Sequence, residues 1–305
     1  QMALFDAVAR ANEVPVHPLL GEKQRSNAPV SWWSVEMPIE DWISEAREAV
    51  SLGYTNYKMK ARPWVDLVQQ VKTISEETPD YFEIDLDFNT MLCNSAHAVR
   101  ILTQLQEYEK VKIFESPIPQ KDVAGNKYLR AQTSVPIAMH VGNPPLTTAL
   151  EEDVCDGFVV NGGVSQVLHE AHCITEKNKV FWLQNTGSGL STVWCLQLAA
   201  VLSHARWPAV NCHNLYVHTL LKNPLVVKGG YVDIPDTPGI GYELDWDVVE
   251  KYRIDPISKP YPYPDLLIRV SWPSGGEDFY AHGLQYWDDY IEGRRPIFSP
   301  GVNME

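Results

Sequence analysis

Long hydrophobic runs are missing from this chain. No stretch reaches the about 18 consecutive apolar residues that a membrane span requires, so no transmembrane helix is expected. Cysteine is sparse and unorganised: five residues, Cys93, Cys155, Cys173, Cys195 and Cys212, with no CxxC spacing. An odd, scattered set excludes a disulfide framework and reads as reduced thiols of a cytoplasmic protein. Positive charge is in deficit, with 25 Lys and Arg against 39 Asp and Glu and a formal net charge of −14. An acidic surface repels phosphate backbones, which argues against nucleic-acid binding. It repels anionic substrates too, unless a metal or a local lysine cluster reverses the field. Low-complexity segments are absent, and so is any repeat beyond a strand–helix period. No signal-peptide pattern is seen, and the start at Gln1 leads us to expect a further N-terminal piece.

What is present is an ordinary globular composition, 45% apolar and 21% charged over 305 residues, enough for one large core or two smaller ones. Strand-like segments at 30–35, 55–60, 82–88, 111–115, 135–140, 157–161, 180–185 and 209–213 alternate with helical spacing. The helical segments are expected at 38–52, 64–77, 95–107, 126–132, 147–153, 164–176 and 191–203. Strands alternating with helices through right-handed crossovers close most economically into a TIM-type barrel. The stretch after His140 is short for a full helix, leaving a degenerate element or missing residues as alternatives. Residues 1–29 read as a helix and linker, 30–228 as the barrel, and 229–305 as a C-terminal wrap with an aromatic-rich tail. In that tail 266–272 and 277–280 suggest a β-hairpin and 286–291 a short helix, as a satellite core, a lid or a subunit contact.

In such barrels the polar residues at the C-terminal strand ends form the site. Alternation puts Lys58 and Lys60 on one face of the second strand, and Asp85 and Asp87 on one face of the third, opposite Ile84, Leu86 and Phe88. Glu115 falls in phase with Ile113 on the fourth, and His140 with Ala138 on the fifth. Buried lysines and carboxylates are costly unless paired or bound to a cation, so their convergence at one mouth suggests a site. Asp87, Glu115 and His140 end successive strands. Two carboxylates and an imidazole suit Mg²⁺, Mn²⁺ or another first-row divalent ion. The alternative is plain ion pairing of Asp87 and Glu115 with Lys58 and Lys60.

At this point a resemblance enters. Tyr57-Lys58-Met59-Lys60 resembles the Lys-x-Lys motif on the second barrel strand of the mandelate racemase and muconate-lactonizing family of the enolase superfamily. Leu86-Asp87-Phe88-Asn89 resembles its "VDAN" strand end, and Phe114-Glu115-Ser116-Pro117 its "IEQP" strand end, which carry the first and second metal ligands. Val135-Pro136-Ile137-Ala138 resembles the start of its "IPIAADE" strand, which puts His140 at the third ligand. Ala3-Leu4-Phe5-Asp6, Leu19-Leu20-Gly21 and Pro238-Gly239-Ile240-Gly241 are similar to flanking segments of that family. The resemblance, which runs from about residue 2 to residue 253, implies a modified (β/α)7β barrel, a preceding cap domain, a homo-oligomer, and a small carboxylate as substrate; the C-terminal hairpin extension is read from the tail itself. It implies a divalent metal, Mg²⁺ foremost, with His140 admitting Mn²⁺, Zn²⁺ or another transition metal. It also implies abstraction of the proton α to a carboxylate, with Lys60 as base and Lys58 tuning it or contacting the substrate carboxylate.

The chain departs from the family's pattern at three strand ends. His140 stands where an acid is usual. Asn161 replaces a second lysine, and Gln184-Asn185 replaces a histidine base. Asn89, Asn161 and Asn185 are left as candidate substrate contacts, and His213 as the remaining candidate general acid. The expectation is therefore a one-base, metal-assisted lyase, most plausibly a dehydratase of a hydroxylated, sugar-acid-like carboxylate. The alternative is a relative with impaired catalysis that binds a metal or ligand. A metal-dependent hydrolase is set aside, because the first strand, Val30-Ser31-Trp32-Trp33-Ser34-Val35, has no His-x-His pair.

Overall fold

The computed structural model describes residues 1–63, 65–254, 268–272, 274–280, 289, 294 and 303–304. Helix α1 (Met2–Ala11) and strand β1 (Asn27–Pro29) precede the barrel. The barrel alternation runs β2 (Trp32–Ser34), α2 (Ile39–Ser51), β3 (Asn56–Lys60), α3 (Leu67–Glu77), β4 (Glu83–Asp87), α4 (Ser95–Leu105), β5 (Val111–Glu115) and α5 (Val123–Gln132). It continues with β6 (Ile137–His140), α6 (Leu146–Glu151), β7 (Gly157–Val160), α7 (Val164–Glu176), β8 (Val180–Leu183) and α8 (Gly189–Ala199). Then come β9 (Tyr231–Asp233), α9 (Trp246–Tyr252), β10 (Ile268–Ser271), β11 (Glu277–Tyr280) and β12 (Asn303–Met304). No described helix is long and apolar enough to cross a membrane.

Strands β2 to β8 form one parallel seven-stranded sheet in sequence order. Its edges are joined through residues 209 and 210, which bridge Val30 and Gln184. The expected eighth strand is thus reduced to two bridges. Pro208 can donate no ladder hydrogen bond, and Cys212 turns the chain into the left-handed region at φ 59°, so the extended run ends. The short connection after His140 does hold a helix, the six-residue α6. The tail hairpin is present as β10 against β11, antiparallel with Ser271 opposite Glu277. Of the expected helix at 286–291, only residue 289 lies among the described residues.

Local chemistry explains the helix starts. Asp66, Asn94 and Asp122 accept hydrogen bonds from the backbone N–H groups of Gln69, His97 and Gly125, capping α3, α4 and α5. Helix α2 turns Trp42, Ala46 and Ala49 inward at helical spacing. Helix α8 is buried nearly all round, including Thr192 and Gln197, so it shows no amphipathic stripe.

The apolar interior has two parts. A large shell between sheet and helices holds Tyr57, Met59, Leu86, Phe88, Phe114 and Phe158. A small plug inside the barrel holds Ile113, Ala138, Val159, Trp182, Val210 and Cys212, with Trp33 and Trp207 against it. Trp207 fits because Gly157 has no side chain: a Cβ there would meet the indole at 2.3 Å. The same alternation that fills this plug points Lys58, Lys60, Asp87, Glu115 and His140 into the barrel mouth.

Candidate active site

Register brings the charged strand ends together. Lys60 lies opposite Asp87, and Asp87 opposite Glu115, across β3, β4 and β5. Glu115 lies opposite Ala138, which puts His140 one inward step higher on β6. Asp87 and Glu115 are each 1% exposed, so both carboxylates need compensating charge. They find it in Lys58. Its ammonium makes a close ion pair with Glu115 Oε2 and lies 3.7 Å from Asp87 Oδ2.

The rest of the network is asymmetric. Lys60 donates to Asp87 Oδ2 at 2.5 Å and to Asn89 Oδ1 at 2.8 Å. The Asn89 backbone N–H donates to Asp87 Oδ1 at 2.9 Å, from a residue at φ 47°. His140 Nε2 stands 2.9 Å from Glu115 Oε1. Gln120 fixes the His140 backbone from both sides: it accepts from the N–H at 3.1 Å and donates to the carbonyl at 2.9 Å. Lys58 also donates to Gln184 Oε1 at 3.3 Å and lies 4.9 Å from the centre of the Trp182 ring. The Lys60 ammonium lies 5.7 Å from the centre of the Trp33 ring.

Electrostatics follow from this packing. Burial alone would discharge Lys58, but the Glu115 and Asp87 carboxylates outweigh it and hold the ammonium charged. Burial would likewise push Glu115 up, and Lys58 and His140 reverse this, holding its carboxyl well below the usual range. One step deeper, Asp85 is pushed up to about 7 by burial, against a hydrogen bond from Asn56 Nδ2 at 2.9 Å.

The structure separates the expected site residues. Lys58, Lys60, Asp87, Asn89, Glu115 and His140 form one connected cluster. Asn161, in phase with Val159 of the interior plug, is exposed just past the end of β7. On β8 the inward phase belongs to Trp182, and Gln184, one step on, accepts from Lys58 at the mouth, whereas Asn185 falls in the opposite phase. His213 also lies apart from the cluster. Its Nε2 meets Tyr54 Oη at 2.9 Å and its Nδ1 meets Thr192 Oγ1 at 3.0 Å, between α8 and the outer shell. Both ring nitrogens are engaged there, and burial lowers the imidazole to about 4, which keeps it neutral.

Sequence reading missed Trp33, Gln184, Gln120 and Cys212. The first two are signalled by strand alternation once the inward phase is known. Cys212 shares the phase of Val210; burial raises its thiol, while the nearby Lys58 and Lys60 pull the other way. Gln120 lies in a loop and leaves no periodic signal.

Does the cluster fit a divalent cation? Among the described residues no group of three His, Cys, Asp or Glu side chains stands ready-formed around one point. The donor chemistry nevertheless fits. Asp87 and Glu115 already share one cation, the Lys58 ammonium, and neither buried Glu115 oxygen receives a well-aligned hydrogen bond. Enolase-superfamily proteins generally use a divalent metal, and the donors that could hold one here are the Asp87, Glu115 and His140 side chains.

A parallel α/β barrel with acids and lysines ranked along consecutive strand ends has its candidate site at the C-terminal mouth, where barrels of this kind carry their active sites. Residues 41–248 match the "Enolase C-terminal domain-like" family. This chain belongs to the enolase superfamily, in its mandelate racemase and muconate-lactonizing family. It is 26% identical to muconate cycloisomerase 1-2 of Acinetobacter lwoffii, over 84% of this chain and 69% of that protein. It is 24% identical to D-gluconate dehydratase of Thermoproteus tenax, over 89% of this chain but only 59% of that protein. The chain thus spans roughly six- to seven-tenths of these relatives' lengths. The crystal structure of muconate cycloisomerase from Pseudomonas fluorescens superposes with a TM-score of 0.74 at 21% identity, over 83% of this chain and 73% of that one.

Proposed function

We propose that this chain is a metal-assisted lyase that removes the proton α to a carboxylate, acting as a dehydratase on a hydroxylated, sugar-acid-like substrate. One observation carries the reading: two buried carboxylates, Asp87 and Glu115, share a cation position, with the amine of Lys60 held against the same Asp87. The relatives named as D-gluconate, D-xylonate and arabinonate dehydratases support the reaction class.

Asp87, Glu115 and His140 would hold the ion, and the ion supplies positive charge opposite a substrate carboxylate. Lys60 acts as the base. Its side chain is 17% exposed, against 2% for Lys58, so it alone of the two reaches the open mouth. Asn89 and Asp87 fix the end of its stem. With His213 turned to the outer shell, the proton that Lys60 takes from the α-carbon is the one it returns to the departing β-hydroxyl. That exchange releases water and leaves an enol, which tautomerises to a 2-keto acid. One base suffices, consistent with Asn161 and Gln184 at the positions across the mouth.

The test is proton NMR of a panel of acid sugars in deuterated water with Mg²⁺ or Mn²⁺. Replacement of the α-proton, or conversion to a keto acid, is the expected result. Complete absence of exchange across the panel, with the ion shown to be bound, would leave the second reading: a relative that binds metal or ligand without turnover. The observation behind that second reading is the charge balance of the network, in which Lys58 and Lys60 together already offset Asp87 and Glu115.

A further inference from the structure

We infer that the Lys58 ammonium is a tethered occupant of the cation position, and that it makes the site take up a divalent cation and a carboxylate ligand cooperatively. This rests on the function proposed above, and adds to it a linkage between two binding events.

The geometry is specific to Lys58. Its side chain is 2% exposed and its ammonium has Glu115, Asp87, Gln184 and the Trp182 face around it. Lys60, by contrast, uses only Asp87 among the acids and leans towards Asn89 and Trp33. The four charged groups, Lys58 and Lys60 against Asp87 and Glu115, sum to +2 − 2 = 0. The network is therefore balanced as it stands, and any ion entering between Asp87 and Glu115 competes with an ammonium already there.

Both cations cannot occupy that position. Entry of a divalent ion requires Lys58 to withdraw, and its flexible four-carbon stem allows this. A displaced buried ammonium needs a new anion, because an unpaired one is strongly disfavoured. The carboxylate of a ligand in the mouth supplies it. The cation alone binds poorly, since it must expel Lys58 with nothing to receive it. A carboxylate alone binds poorly, since Lys58 is satisfied by Glu115 and Asp87. Together they exchange partners, and by linkage each tightens the other by the same factor.

Free Mn²⁺, read by electron paramagnetic resonance, gives the affinity without any turnover. Acetate is the carboxylate probe, because it is small enough to enter any mouth. In the wild type, saturating acetate should tighten Mn²⁺ by about tenfold, within the range typical of coupled sites. Lys58→Met and Lys58→Gln should each bind Mn²⁺ about tenfold tighter than wild type without acetate, and acetate should then tighten it severalfold less than in wild type. Circular dichroism establishes that the variants fold, and the wild-type comparison needs no variant. Equal Mn²⁺ affinities in wild type and both variants would overturn the inference, as would a wild-type affinity that acetate does not change. Either result leaves the proposed function standing, provided Asp87→Asn still abolishes Mn²⁺ binding. Absence of Mn²⁺ binding from wild type and variants alike would sink both.

Discussion

Lys58 and Lys60 share one face of β3, but their surroundings give them different work. Lys58 is sealed between two acids and held charged, which makes it a counter-ion. Lys60 has a partly open position and one acid, which suits proton transfer. A base is distinguished from a counter-ion by a substitution that keeps charge but cannot release a proton. Arginine is that residue, since its guanidinium stays protonated. Lys60→Arg and Lys60→Met should both lower α-proton exchange about a hundred- to ten-thousandfold, the usual worth of a positioned acid–base group. If Lys60→Arg kept near-normal exchange in deuterated water, Lys60 would be an ion-pair partner of Asp87 and no base. The Trp33 ring lies beside Lys60, with the ammonium 5.7 Å from its centre.

At the scale of the strand, alternation decides what reaches the mouth. On β3 to β6 the inward phase was legible because lysines and acids are out of place among Tyr57, Met59, Ile84 and Leu86. The apolar strand β8 carries no such marker, so Gln184 and Asn185 could not be told apart from sequence. The observed phase of Trp182, with the Lys58–Gln184 hydrogen bond, favours Gln184. The eighth segment misled for another reason: Val210 and Cys212 do alternate inward, but the left-handed turn at Cys212 sends His213 to the outer shell. Backbone handedness at a non-glycine residue leaves no trace in hydropathy. The strand phase yields its own prediction. Gln184→Leu removes a hydrogen-bond acceptor from a charged donor, worth about 1.5–3 kcal/mol. It should raise KM for an acid substrate about ten- to a hundredfold, while Asn185→Ala stays within about twofold. Steady-state kinetics showing the reverse order would mean that the β8 phase is wrong at its end.

At the scale of the whole molecule, the barrel keeps its reactive charges in the mouth and its neutral hydrogen bonds in the shell, and His213 belongs to the second group. Its imidazole sits at about 4 in the fold, against about 6.5 in an unfolded chain. The folded state therefore binds this proton less readily than the unfolded one. The stabilisation from neutral His213 is fully present above about pH 6.5 and is lost as pH falls towards 4. His213→Gln keeps one polar contact but does not titrate. It should be less stable than wild type by roughly 1–3 kcal/mol near neutral pH, from weakened bonds to Tyr54 and Thr192. The two urea-denaturation curves should approach each other between pH 7 and pH 4, because the wild type alone pays for protonation there. Exchange at the α-carbon should keep its wild-type pH profile throughout. A general acid would behave oppositely, with stability nearly unchanged and the acidic or basic limb of the rate profile displaced. Such a shift in rate without a change in stability would return His213 to the mouth and require the β-hydroxyl to leave by a second group in place of Lys60.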